Sequence, residues 1–148
     1  MRLCVTVANR NCLLQTWSEG YGNDLPSYCG PPDSAFASKN VKHITIPGTS
    51  LSWPSRHARN RDHSKWAVTA PSNGSAGTCS FCIADQNRAR SQEVRGGSTI
   101  CFIDNVDLWR AFTGIIDSVE ECSADLAAQP PYPEFIPPRR YILSKQSG

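Results

Sequence analysis

The segment Ile103 to Leu126, IDNVDLWRAFTGIIDSVEECSADL, constrains the fold of this chain more than any other. Leu108, Trp109, Phe112, Ile115, Ile116 and Val119 fall at the i, i+1, i+4, i+7, i+8 and i+11 positions of one helical face. Asp104 is placed to cap the helix N-terminus. Asp107 puts a second carboxylate in the first turn, where unpaired amide groups favour negative charge. Ile103 and Leu108 stand at the two positions of a hydrophobic staple. Pro130 and Pro131 stop helical structure after Ala128. The spacing predicts a helix over 104–128 that needs an apolar surface to lie on.

Short strands are expected to supply that surface. Trp66 and Val68 alternate with small or polar neighbours, Cys79, Phe81 and Ile83 share one face of 78–84, and 98–103 (STICFI) runs directly into the helix. Asn73-Gly74 is a strong turn signal between the first two. The expected fold is α+β: a small antiparallel sheet of three or four strands over residues 65–128, one face packed by a single C-terminal amphipathic helix. Leu108, Trp109, Phe112, Ile115, Ile116 and Val119 are expected to meet Trp66, Val68, Phe81, Ile83, Ile100 and Phe102. Trp109 and Phe112 are the large anchors of that contact.

The flanks are less regular. Residues 1–64 read as an irregular N-terminal region with strand candidates at 2–8 and 41–46, loop over 9–40, and a basic linker over 47–65. Residues 129–148 read as a proline-rich tail. An apolar fraction of 39% in 148 residues implies a thin core.

Net charge is only +2, but it is unevenly spread. Residues 104–126 set Arg110 against six acids, whereas 51–65 carry four cations against Asp62. The predicted helix is therefore an acidic surface on a weakly basic chain, suited to a basic protein partner and unsuited to a nucleic-acid backbone. Asp107, Arg110, Asp117, Glu120 and Glu121 are the residues expected to meet such a partner.

Seven cysteines, an odd number at irregular spacing, favour reduced thiols in a cytoplasmic protein. No apolar run is long enough to cross a bilayer, so a soluble chain is expected. Cys79-Ser-Phe-Cys82 has the spacing of a zinc or redox pair, but on a strand the two sulfurs leave opposite faces, and no second pair follows. Arg56, His57, Arg59, Arg61, His63 and Lys65 offer cations to phosphates, yet without interleaved aromatics they read as a solvated linker. His43, His57 and His63 have no evident Ser or Cys partner, so no catalytic residue, metal or cofactor is expected.

Trp66, the turn around Asn73 and Gly74, the strand opened by Cys79, and the closing Trp109-Arg-Ala-Phe112 helix together resemble a family of small actinobacterial proteins of unknown function. Members of that family are encoded beside XRE-type helix-turn-helix regulators. The resemblance covers Trp66 to Asp117 and implies a non-enzymatic regulatory protein that modulates a DNA-binding transcriptional regulator by protein–protein contact. A structural subunit of a larger assembly, and a small zinc- or nucleic-acid-binding module, are the alternatives.

Overall fold

The computed structural model describes residues 10–16, 25–29, 37–55, 62–71, 79–89, 92 and 96–122. The strand expected at 2–8, the Asn73-Gly74 turn, the tail, and Arg56, His57, Arg59 and Arg61 lie outside them. The elements in chain order are β1 (Cys12–Gln15), β2 (Ser38–Thr45), β3 (Ser52–Pro54), β4 (Trp66–Thr69), β5 (Phe81–Ala84), β6 (Thr99–Phe102), α1 (Val106–Gly114) and β7 (Ile116–Val119).

The class is α+β, but the sheet is neither small nor purely antiparallel. Seven strands run in the order β3, β2, β1, β4, β5, β6, with β7 also pairing with β2. β1 and β2 are parallel, and the other pairings are antiparallel. The sheet crosses the boundary expected at residue 64, because β1 pairs with β4 through Leu13–Val68 and Leu14–Ala67. β1 lies inside the stretch expected to be loop. Its sequence CLLQ shows no alternation because a central strand is buried on both faces. Likewise β3 falls in the expected linker. A turn joins it to β2, with Gly48 at φ 76°, a conformation that only glycine adopts without penalty.

The core has two layers. Trp66, Val68, Phe81, Val41 and Ile44 form the face covered by α1, against which Leu108, Trp109, Phe112, Ile115 and Ile116 pack. Phe112 stacks on Phe81 at 4.1 Å and meets Trp66 edge-on at 5.1 Å. Cys12, Leu14, Ala67 and Cys82 form a second cluster, reached by the alternate positions of the same strands. The anchors Trp109 and Phe112 thus do what their spacing predicts. Ile83, Ile100 and Phe102 do not: they are 43%, 59% and 39% exposed.

The helix differs from expectation at both ends. Asp104 has a positive φ of 56° and belongs to the turn after β6, so Asn105 is the cap, its Oδ1 accepting the Leu108 amide at 3.0 Å. That shift removes the Ile103–Leu108 staple. At the other end the helix stops at Gly114, and Ile116–Val119 continues as β7 on β2. The Thr113 hydroxyl donates back to the Trp109 carbonyl at 2.7 Å, Gly114 is a poor helix former, and the β-branched residues beyond it fit a pleated surface. The acidic helical face therefore does not exist as one surface. Asp107 and Arg110 lie exposed on α1. Asp117 pairs with His43 at 3.2 Å, and Glu121 with Lys39 at 3.6 Å.

The expectation of reduced thiols is also overturned. Cys82 is bonded to Cys101, its register partner across β5 and β6, and Cys29 is bonded to Cys122 just beyond β7. Cys79 and Cys82 therefore do not act as a unit. No helix among the described residues is long and apolar enough to cross a membrane.

Candidate functional site at one end of the sheet

β1 and β5 finish, and β4 begins, at the same end of the sheet. Gln15, the last residue of β1, is the register partner of Trp66, the first of β4. The Ala84 amide, at the end of β5, donates to the Lys65 carbonyl at 3.0 Å. The chain enters this end through Asp62-His63-Ser64-Lys65.

Asp62 fixes that entry. Its Oδ1 accepts the Ser64 amide at 2.9 Å, closing a tight turn two residues on. Its Oδ2 accepts the Trp53 indole N–H at 2.9 Å and the Gln15 side-chain amide at 3.2 Å. Desolvation acts to raise the pKa of this carboxyl. The donors from Ser64, Trp53 and Gln15 outweigh it and hold the group below the ordinary aspartate value of 3.8. Asp62 therefore stays ionised to a lower pH than an ordinary aspartate.

Beyond Asp62 the chain presents cation and imidazole together. His63 and Ser64 are exposed, Lys65 is half-buried, and the Lys65 ammonium donates to the His63 carbonyl at 2.7 Å. The Lys65 side chain thus folds back on the His63 backbone, which keeps the imidazole-bearing residue and the ammonium close together in the chain. In the loop after β5, Asn87 is buried and its Oδ1 has no hydrogen-bond partner among the described residues. The Gln15 Oε1 is in the same condition. Among the described residues no three His, Cys, Asp or Glu side chains are grouped to hold a metal ion.

Other residues picked out from sequence lie elsewhere. Glu120 is part of an internal network: its Oε2 accepts from the Ser27 amide and hydroxyl, both at 2.9 Å, and from the Asn40 side-chain amide at 2.6 Å. The buried Arg88 completes it, donating to Asn40 Oδ1 at 2.7 Å. Glu120 thus holds the end of β7 to β2. Trp66 is core, Cys79 is half-buried, and Asn73 and Gly74 are outside the described residues. Reading 47–65 as linker hid Asp62, His63 and Lys65. The available signal was an aspartate, a histidine and a lysine within four residues at the mouth of a strand.

Residues 3–122 match the family model for deoxyribonuclease II. Cell-death-related nuclease 7 of Caenorhabditis elegans is 32% identical over 75% of this chain and 26% of its own length. Plancitoxin-1 of Acanthaster planci is 36% identical over 74% of this chain and 26% of its own length. Deoxyribonuclease-2-alpha of Sus scrofa is 33% identical over 82% of this chain and 29% of its own length. The chain spans about a quarter of the length of the curated relatives it matches. No solved structure matches it.

These matches overturn the resemblance to the actinobacterial family, whose short Trp, turn and Trp-x-x-Phe signals are packing motifs that unrelated α+β domains share. With it fall the regulatory role, the non-enzymatic reading, the helix-turn-helix partner and the exclusion of nucleic acid. The match runs through residues 3–122, most of the chain, and the chain belongs to the deoxyribonuclease II family.

Proposed function

We propose that this chain takes part in hydrolysis of DNA phosphodiester bonds, with His63 and Lys65 as its contribution to the reaction. The observation that carries this reading is the pinned Asp62 carboxylate, which fixes the turn into β4 from which the exposed His63 and, two residues on, Lys65 project at one sheet end. Cleaving a phosphodiester needs a group that moves a proton to or from the reacting oxygens and a cation to offset the phosphate charge. His63 serves as the proton-transfer group and Lys65 as the phosphate ligand. Arg56, Arg59 and Arg61 precede them in sequence and add to the cationic character of this stretch. The names of the relatives, which include deoxyribonuclease-2-alpha and a cell-death-related nuclease, support a DNA substrate.

The test is plasmid cleavage by the full chain, with DNA binding followed by fluorescence anisotropy. His63→Ala should slow cleavage by about 100-fold or more while retaining binding. Lys65→Ala should weaken binding and lower the salt slope by about 1. His43→Ala, on β2, should cut as the parent does. A wild-type chain that neither binds nor cuts DNA, or a His63→Ala chain that cuts normally, overturns the reading.

The two disulfides support folding in an oxidising compartment rather than the cytoplasm. Alkylation of the native-source protein before reduction should leave Cys29, Cys82, Cys101 and Cys122 unlabelled.

A further inference from the structure

Gln15 is the least expected residue of the core. It occupies a fully buried position at the end of a central strand whose preceding residues are Cys12, Leu13 and Leu14. Its Nε2 reaches Asp62, but its Oε1 is buried without a hydrogen-bond partner among the described residues. An apolar side chain of similar volume would avoid that desolvation cost, so packing alone does not account for an amide there. Trp53 contributes a second donor from β3, a strand that follows β1 by a long stretch of sequence.

We propose that Gln15 and Trp53 are positioning residues for the His63–Lys65 pair, acting through the Asp62 carboxylate they both hold. The assignment rests on the functional reading given above for His63 and Lys65. Two donors from separate strands converge on Asp62 Oδ2, while Oδ1 is taken by the Ser64 amide. The carboxylate is thereby fixed from both sides, and the backbone of 62–64 is fixed with it. His63 follows directly, so its imidazole inherits the placement. Neither Gln15 nor Trp53 touches the reacting atoms in this scheme. They set where His63 stands, and an error of about 1 Å in such a group can cost about 100-fold in rate.

Gln15→Met nearly keeps the side-chain volume and Trp53→Phe keeps an aromatic ring, and each removes one donor. In the full chain, each should lower kcat for plasmid cleavage by about 10- to 100-fold with KM little changed, because Lys65 still meets the phosphate. A second readout is independent of turnover. The Trp53 indole N–H resonance reports ionisation of its acceptor, so its titration midpoint in Gln15→Met should move upward from that of the parent. Gln15→Glu, which replaces the donating amide with a second carboxylate facing Asp62, should move that midpoint further up. Parental kcat in Gln15→Met alongside an inactive His63→Ala chain overturns the positioning role and leaves the reading of His63 intact. An unmoved indole midpoint in Gln15→Met also overturns it. Normal cleavage by His63→Ala overturns both.

Discussion

The indole N–H of Trp109 donates to the carbonyl oxygen of Thr69 at 2.8 Å. This bond joins the middle of α1 to the last residue of β4, so the helix is latched to the sheet by a polar contact as well as by Phe112 over Phe81. Trp109→Phe should keep most of the ring contact and lose the bond, costing about 1 kcal/mol. Trp109→Ala should cost about 3 kcal/mol, toward the lower end for a large aromatic because the side chain is only half-buried. Thermal unfolding of the two variants checks the order, and equal midpoints would show that the indole bond carries nothing.

Glu120 is an internal anchor, not a docking residue. Removing its carboxylate in Glu120→Ala strands the Ser27 and Asn40 donors and should cost about 2–4 kcal/mol. Glu121→Ala, at an exposed ion pair, should change stability by less than about 1 kcal/mol. Urea midpoints measured side by side decide between the two roles.

The two disulfides should stabilise unequally. Cys29–Cys122 closes a separation of 93 residues and Cys82–Cys101 one of 19. In a chain-entropy account these are worth about 4–5 and about 3 kcal/mol. Cys29→Ser with Cys122→Ser should therefore lower the denaturation midpoint more than Cys82→Ser with Cys101→Ser. The reverse order would mean that direct pairing of β5 and β6 outweighs loop closure.

Asp62 should make stability fall in acid. Its folded pKa lies below the ordinary value, so the unfolded chain takes up a proton first as pH falls. The stabilisation is complete above the ordinary value of 3.8 and is lost as pH drops through the lower, folded value. Asp62→Asn should flatten that part of the stability profile and leave the neutral region parallel to wild type. Chemical denaturation between about pH 2 and pH 5 gives the comparison; an unchanged acid limb in the variant would rule Asp62 out as its source.

Local pattern alone determined much of the scaffold. The expected strands at 41–46, 66–70, 78–84 and 98–103 contain or overlap β2, β4, β5 and β6, and the helix is where Trp109 and Phe112 place it. These elements were legible because their alternation or helical period is written in consecutive residues. Ile116 and Val119 show the limit: their spacing from Phe112 satisfies a helical face, yet both lie in strand β7. The available edge of β2 settled the matter, and that edge belongs to residues more than seventy positions earlier. The cysteine pairing and the site were decided in the same way. Cys29 meets Cys122, and Gln15 meets Asp62, across separations of 93 and 47 residues that leave no trace in any local period. Sequence supplied the groups with chemistry in them; only the assembled sheet brought a buried amide and an indole onto one carboxylate, because hydrogen bonds between distant strands exist only once those strands have been brought into register.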